Sequence, residues 1–296
     1  MNILFVIVVK GVIYVTDKKI RDLEKRVKDL ERKLEFFINS FNLSTGDRIA
    51  DLNERTRQAM EHLEKTDVPL FISRRAFDKR KSSLDAIGNW ALDSGGFTEL
   101  NMFGKWTLTE QEYIDRVNHI DTTPGLLWAA QQDWMCEPFV IEKTGLTIKE
   151  HQKRTVNNLI KLRKLDSQVP IIPVLQGYSL EDYKNCFEMF ESNNIDLRSE
   201  PLVGLGSVCR RQNTNDIERI VKYFFHKDIK LHGFGVKING MKRYGEMLES
   251  SDSLAWSFGA RYSQSHCSIH KENPTTKNCA NCLQYALEWR EKVVTQ

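Results

Sequence analysis

From Asp67 onward, short β-rich apolar runs alternate with charged stretches of helical period, and this rhythm restricts the possible folds more than any other feature of the chain. The runs are Pro69-Leu70-Phe71-Ile72, Trp90-Ala91-Leu92, Leu126-Leu127-Trp128-Ala129-Ala130, 170–175, Leu202-Val203-Gly204-Leu205, 230–236 and Ser253-Leu254-Ala255-Trp256. Helical patterns fall between them over 110–119, 148–164, 180–191, 214–225 and 241–250. Strands without polar alternation, each followed by a helix, are the mark of parallel βα units buried on both faces. The expected class is therefore α/β, a (β/α)8 TIM-like barrel in preference to a doubly wound sheet, with a C-terminal subdomain and an N-terminal helical extension. The apolar run at the N-terminus is the candidate for the strand that the other runs leave missing.

That N-terminal run, Ile3 to Val15, is interrupted by Lys10 and Gly11 and followed by Asp17-Lys18-Lys19. It is too short to span a bilayer and no small-residue cleavage site follows it, so a strand is expected and no membrane partner. Ile20, Leu23, Val27, Leu30, Leu34 and Phe37 then recur at helical spacing, a pattern that offers self-association through a short coiled coil. A second, polar helix is expected over 43–66. The division that results is 1–66 as an N-terminal segment, 67–262 as the barrel and 263–296 as a metal-binding C-terminal segment. A formal charge of +3 admits a nucleic-acid partner without requiring one. Of the six cysteines, Cys136, Cys186 and Cys209 are solitary while Cys267, Cys279 and Cys282 crowd the C-terminus, which suggests metal in a reducing, cytoplasmic setting rather than a disulfide framework.

In a barrel of this type the reactive residues stand where strands end. The run Trp90-Ala91-Leu92 ends in Asp93-Ser94-Gly95-Gly96-Phe97; others end in Gln131-Gln132-Asp133, Gln176-Gly177, Gly206-Ser207 and Gly233-Phe234-Gly235, and Asp252 lies beside the last run. Any one of these is ordinarily a cap or a turn residue, but a series of them at successive strand ends suggests a site. Two carboxylates in such company fit glycosyl transfer, one as nucleophile at an acetal-like carbon and the other moving protons. Asp133 and Gln176 would read the edge of a flat heterocycle, and Phe97 would stack on its face.

These residues resemble a family. Asp93-Ser94-Gly95-Gly96-Phe97 is similar to the DSGG(F/Y) motif of the queuine and archaeosine tRNA-guanine transglycosylases. Leu175-Gln176-Gly177 resembles their VQGG segment, and Ser251-Asp252-Ser253 their nucleophile motif. The resemblance implies that Asp252 attacks C1′ of a nucleoside with Asp93 as general acid/base, and that Asp133 and Gln176 bind the purine edge. Ser94 and backbone groups near Gly204 and Gly206 are implied to assist. The segments QQDWMCEP, from Gln131 to Pro138, and VGLGSVCRR, from Val203 to Arg211, resemble the DNA-directed, DpdA-like branch, which implies exchange of guanine in DNA for a 7-deazaguanine such as preQ0. The stretch after the last cysteine reads as one helix, with no added RNA-binding domain expected. Exchange in tRNA, a non-catalytic nucleic-acid-binding barrel and an unrelated glycoside hydrolase are the alternatives.

The cysteine-rich segment reads Cys267-x2-His270-x8-Cys279-x2-Cys282, two pairs that can close a tetrahedral Zn2+ site with no open position, hence a structural one. His266 competes with His270 for the fourth place. Phosphate contacts are expected from basic clusters, Arg210-Arg211 first among them because it adjoins a strand end, with Arg74-Arg75, Lys79-Arg80-Lys81 and Lys242-Arg243 as further candidates. A DNA target must be flipped out or single-stranded to expose C1′.

Overall fold

The computed structural model of the chain describes residues 2–7 as backbone, together with 63, 65–78, 86, 88–120, 125–263, 265–272 and 278–295. The amphipathic helix expected from Ile20 to Phe37 lies outside these residues, as does nearly all of the polar helix expected over 43–66.

The strands are β1 (Asn2–Ile7), β2 (Leu70–Ser73), β3 (Trp90–Asp93), β4 (Leu126–Ala130), β5 (Ile171–Ile172), β6 (Val174–Leu175), β7 (Val203–Leu205), β8 (Leu231–Gly233) and β9 (Ser250–Ser253). All pair in parallel, in the order β5-β4-β3-β2-β1-β9-β8-β7-β6. The two ends of that order, β5 and β6, are separated along the chain by Pro173 alone. Proline has no N–H to give to a ladder. Here the side chain of Gln131 bridges the break, accepting from the Val174 N–H at 2.9 Å while donating to the Thr155 carbonyl at 2.7 Å.

β1 sits between β2 and β9, in register Phe5↔Leu70 and Leu4↔Asp252. The N-terminal apolar run therefore supplies a strand of the sheet, and the boundary expected at residue 66 does not cut this strand off from the body. The strands alternate between two apolar layers. Leu70, Ile72, Trp90, Leu92 and Ala129 join the helix-side core, whereas Phe71, Ala91, Trp128 and Ala130 pack together on the opposite face with Ile172 and Leu202. Burial on both faces is what near-continuous apolar strands require.

The helices that matter for the site follow the strand tips. Gly96–Phe103 begins directly after β3, and Ile148–Leu162 is capped by Thr147, whose side chain accepts from the Glu150 N–H. Leu180–Ser192 opens with a capping box between Ser179 and Asp182. Two expectations need correction. The last strand is not Ser253-Leu254-Ala255-Trp256 but Ser250–Ser253, and Ala255 already begins the helix Ala255–Ser263. The helix expected over 241–250 runs instead over Ile238–Tyr244, with a 3-10 turn at Gly245–Met247. The apolar pattern misled because β9 is built of serines: Ser250, Ser251 and Ser253 are all buried, with hydroxyls that find partners within the fold. Among the described residues no helix is long and apolar enough to cross a membrane.

Candidate active site at the carboxyl ends of the strands

Because every strand runs the same way, their carboxyl ends share one edge of the sheet, and the polar tips singled out from the sequence meet there. Asp93 ends β3. It keeps an opening to solvent, yet protein surrounds its carboxyl, and that burial pushes its pKa up to about 6, against hydrogen bonds from the Ser73 side chain and the Gly95 backbone N–H. The charge of Asp252 pushes it further in the same direction. The two acids, distant in sequence, therefore act on each other.

The loop after Asp93 is fixed from below. Gly95 takes a left-handed conformation (φ 83°) as the helix Gly96–Phe103 begins, a backbone position that strains any residue with a Cβ. Glu99, fully buried, accepts from Arg74 at 2.8 Å, from Arg75 at 2.7 Å and from the Thr107 backbone and hydroxyl, while Arg74 Nε donates to the Ser94 carbonyl at 3.3 Å. Arg74-Arg75 is thus an internal brace of the Asp93 loop and not the phosphate site expected of it. Burying a carboxylate at Glu99 is tolerable only with this full set of donors.

Asp252 lies within β9, 4% exposed. Its Oδ1 accepts from the Gly235 N–H at 3.0 Å and faces His232 Nε2 at 3.1 Å, and His232 Nδ1 meets the Ser250 hydroxyl at 2.8 Å. If Nε2 carries the proton, the Ser250 hydroxyl donates to Nδ1, and the ring orients the acid. The ring is held by aromatic neighbours on the inner face: Phe71, Trp128 and Phe234 have centroids 5.2, 5.1 and 4.8 Å from it. Sequence reasoning missed His232; its one signal was a histidine inside the apolar run Leu231-His232-Gly233.

Asp133 and Gln176 form the second part. Gln176 Nε2 donates to Asp133 Oδ2, and burial raises the Asp133 pKa to about 7, with the charges of Asp93 and Glu137 adding to the shift and the Gln176 hydrogen bond opposing it. Gln176 occupies the space over Gly206, where an added Cβ would fall 2.1 Å from Nε2. Gly206 donates its N–H to the Leu175 carbonyl and accepts from the Tyr183 hydroxyl; Gly204 donates to the Pro173 carbonyl, and a Cβ there would strike the Phe234 ring at 2.5 Å. The N–H groups of both glycines are thus engaged within the fold, and neither position has room for a side chain. Ser94 is buried at the loop, 1% exposed.

The description DpdA, DeoxyPurine in DNA protein A, belongs to the family that matches residues 56–296. The chain belongs to this family. Membership implies a DNA-modifying enzyme concerned with 7-deazaguanine. No curated protein matches the chain.

Several residues lie at the rim. Phe97 pairs with Phe139 at 6.2 Å, and the Arg210 guanidinium stands 4.2 Å from the Phe139 centroid and 5.4 Å from that of Phe97. Arg211 lies 4.0 Å over the Tyr178 ring, its Nε donating to the Ser207 carbonyl at 3.4 Å. Both arginines lower the pKa of buried Glu137, which burial itself raises. Arg243, by contrast, is tied to Glu218 at 2.6 Å, which argues against its clustering with Lys242 as a phosphate site; Lys79-Arg80-Lys81 is outside the described residues.

At the other end of the chain Cys267, His270, Cys279 and Cys282 bring one ligand atom each within 4.8 Å of one another. The sulfur atom of Cys267 lies 3.7 Å from that of Cys282 and 3.8 Å from that of Cys279, and His270 Nδ1 is 3.1 to 3.7 Å from the three sulfurs. A zinc ion at about 2.3 Å from each thiolate in a tetrahedron requires sulfurs roughly 3.8 Å apart, so both chemistry and spacing fit zinc. His270, not His266, completes this set. Glu288 accepts from the Ser268 N–H at 3.1 Å and so ties the cluster to the last helix, Leu283–Val294, whose Ala286 and Val293 enter the main core.

Proposed function

We propose that the chain exchanges guanine in DNA for a 7-deazaguanine base of the preQ0 type. Treated as one strand interrupted at Pro173, β5 and β6 would close the parallel sheet into a (β/α)8 barrel whose mouth is the acid site. What carries the reading is the electrostatic meeting of Asp93 and Asp252 at strand ends beside the Asp133–Gln176 pair: a nucleophile, a proton carrier and a polar edge-reader in one place.

In this reading the free oxygen of Asp252 attacks C1′ as the bond to N9 of guanine breaks, giving a covalent deoxyribosyl ester. His232 and the Gly235 N–H hold the other oxygen and so aim the lone pair. The departing base takes a proton at N9, and Asp93, with a pKa near 6, is suited to move protons in both directions at neutral pH. The incoming deazapurine loses its N9 proton to Asp93 and displaces Asp252, and two inversions leave the configuration retained. Zinc, held by Cys267, His270, Cys279 and Cys282, would take no part in the chemistry; its four protein ligands fix the C-terminal segment against the body. The target nucleotide must leave the stack to reach this mouth, where Arg210 and Arg211 would meet its phosphates.

The test is to incubate the protein with preQ0 and either DNA or tRNA, digest to nucleosides and analyse by mass spectrometry. Deazaguanine in the DNA digest is expected, and both Asp252→Ala and Asp252→Asn should lower it by at least about 10^4-fold while bound zinc is unchanged. Product in tRNA alone would reverse the choice of substrate, and normal incorporation by either variant would remove Asp252 from the mechanism.

A further inference from the structure

Two carboxyl groups beside the proposed base pocket are joined by a chain of hydrogen bonds whose protons can be counted. Asp133 Oδ2 meets the Gln176 carboxamide, the carboxamide meets Ser207 Oγ at 2.7 Å, and Ser207 Oγ meets Glu137 Oε2 at 2.7 Å. Ser207 Oγ also accepts from the Cys136 N–H at 2.8 Å. All of these groups are buried: Gln176 is 0% exposed, Glu137 5%, Ser207 6% and Asp133 8%. Ser207 holds its place in a left-handed backbone conformation (φ 56°), which is uncommon for a residue with a Cβ.

A hydroxyl has one proton to give, and a carboxamide donates at one end and accepts at the other. If the Gln176 NH2 faces Asp133, its oxygen must accept the Ser207 proton, and Ser207, with none left, must receive one from Glu137. If the amide is turned over, its NH2 donates to Ser207, Ser207 donates to Glu137, and the amide oxygen then needs a proton on Asp133. With both carboxyls ionised, one contact in the chain sets two acceptors against each other, a costly defect in a buried place. Every satisfied arrangement thus has a proton on Glu137 or Asp133, and its location and the orientation of the amide are one variable. This count does not depend on which way round the amide is drawn.

We infer that Glu137 and Ser207 are specificity-determining residues, which set through one shared proton whether the pocket reads a guanine-type edge. The inference rests on the base-exchange reading and deepens it. With the proton on Glu137, ionised Asp133 accepts and the second N–H of Gln176 donates, matching the N1–H and O6 of guanine and its 7-deaza analogues. With the proton on Asp133, that proton is already given to the amide oxygen, so both groups face the base as acceptors and the pocket has no donor for O6. The charges facing the pair bias the free protein. Asp93 acts on Asp133 and favours its neutral form; Arg210 and Arg211 act on Glu137 and favour its ionised form. Tyr113, Tyr183, Cys136 and Cys186 adjoin the same groups and stay uncharged, because burial raises each of their pKa values. These charges favour the proton on Asp133, and so an amide turned over from the orientation that donates to Asp133, until a guanine-type edge draws the proton across to Glu137 and turns the amide back.

The test is infrared difference spectroscopy of the full chain on adding free guanine, with carboxyl 13C in aspartate or in glutamate and Asp133→Asn and Glu137→Gln for assignment. The protonated-carboxyl band should carry the aspartate label in the free protein and the glutamate label with guanine bound. A band that keeps its label on binding, the absence of any such band at neutral pH, or no binding of guanine overturns the inference. Glu137→Gln can still donate to Ser207 but has no proton to lose. Its guanine affinity should be flat with pH, while that of the wild type falls about tenfold per unit above the pKa of the pair. Ser207→Ala should weaken guanine binding at least tenfold, and an unchanged affinity in a folded variant also counts against the relay. Binding of the free base needs no exchange, so proton transfer without incorporation would sink the proposed function alone, and incorporation without proton transfer would sink the relay alone.

Discussion

The strand-tip acids and the cysteine–histidine cluster are both polar groups withdrawn from water, and they stand in opposite relations to stability. At the cluster, three sulfurs and an imidazole are arranged around a point that a cation can fill, so binding there would supply folding free energy. At the strand tips Asp93 and Asp133 are buried near other carboxyls, and their raised pKa values record the cost of charging them. Polar burial strengthens the first region and weakens the second, which suits a brace in one case and reactive groups in the other.

Removing a ligand should show this contrast most strongly. Cys282→Ser, or chelation, is expected to release the zinc and to lower the melting temperature by on the order of 10 °C, read by metal analysis and calorimetry on the same sample. Full zinc content in that variant would remove Cys282 from the set. The acids should respond in the reverse sense. Their folded pKa values, about 6 and about 7, lie above that of an unfolded aspartate, so the folded state binds more protons, and their contribution to stability is lost as pH rises through that window. Asp93→Asn should therefore be more stable than the wild type by about 1–3 kcal/mol at pH 8 and nearly equal to it at pH 4.5, in urea unfolding of zinc-loaded protein. A difference that does not vary with pH would mean that Asp93 is not held near neutrality. The smallest effect belongs to the rim. Arg210→Ala should weaken DNA binding by about tenfold and reduce the salt slope by about one, with zinc and melting temperature unchanged.

Much of this arrangement was legible in the chain. Alternating runs and helices fixed the parallel α/β class, because a strand buried on both faces leaves an uninterrupted apolar signature. Cys267, His270, Cys279 and Cys282 were readable by spacing alone, since the whole set comes from one short segment. Asp93, Asp133, Gln176 and Asp252 could be picked out because parallel strands deliver their carboxyl ends to one edge.

The remainder depended on residues that neighbour one another only in space. β9 escaped notice because its serines satisfy their hydroxyls against Gly233, Val236 and His232, a compensation no local pattern reveals. Arg74-Arg75 read as a surface cluster until Glu99, remote in sequence, was found beneath it. Glu137 and Ser207 lie far apart along the chain and share one hydrogen bond. Sequence by itself determined which segments become strands and helices and where a metal can bind, because propensity, periodicity and ligand spacing act over short stretches. Which acids feel one another, which arginine is spent on the fold and which hydroxyl joins two carboxyls were decided by tertiary structure, because burial and charge act through space, without regard to order along the chain.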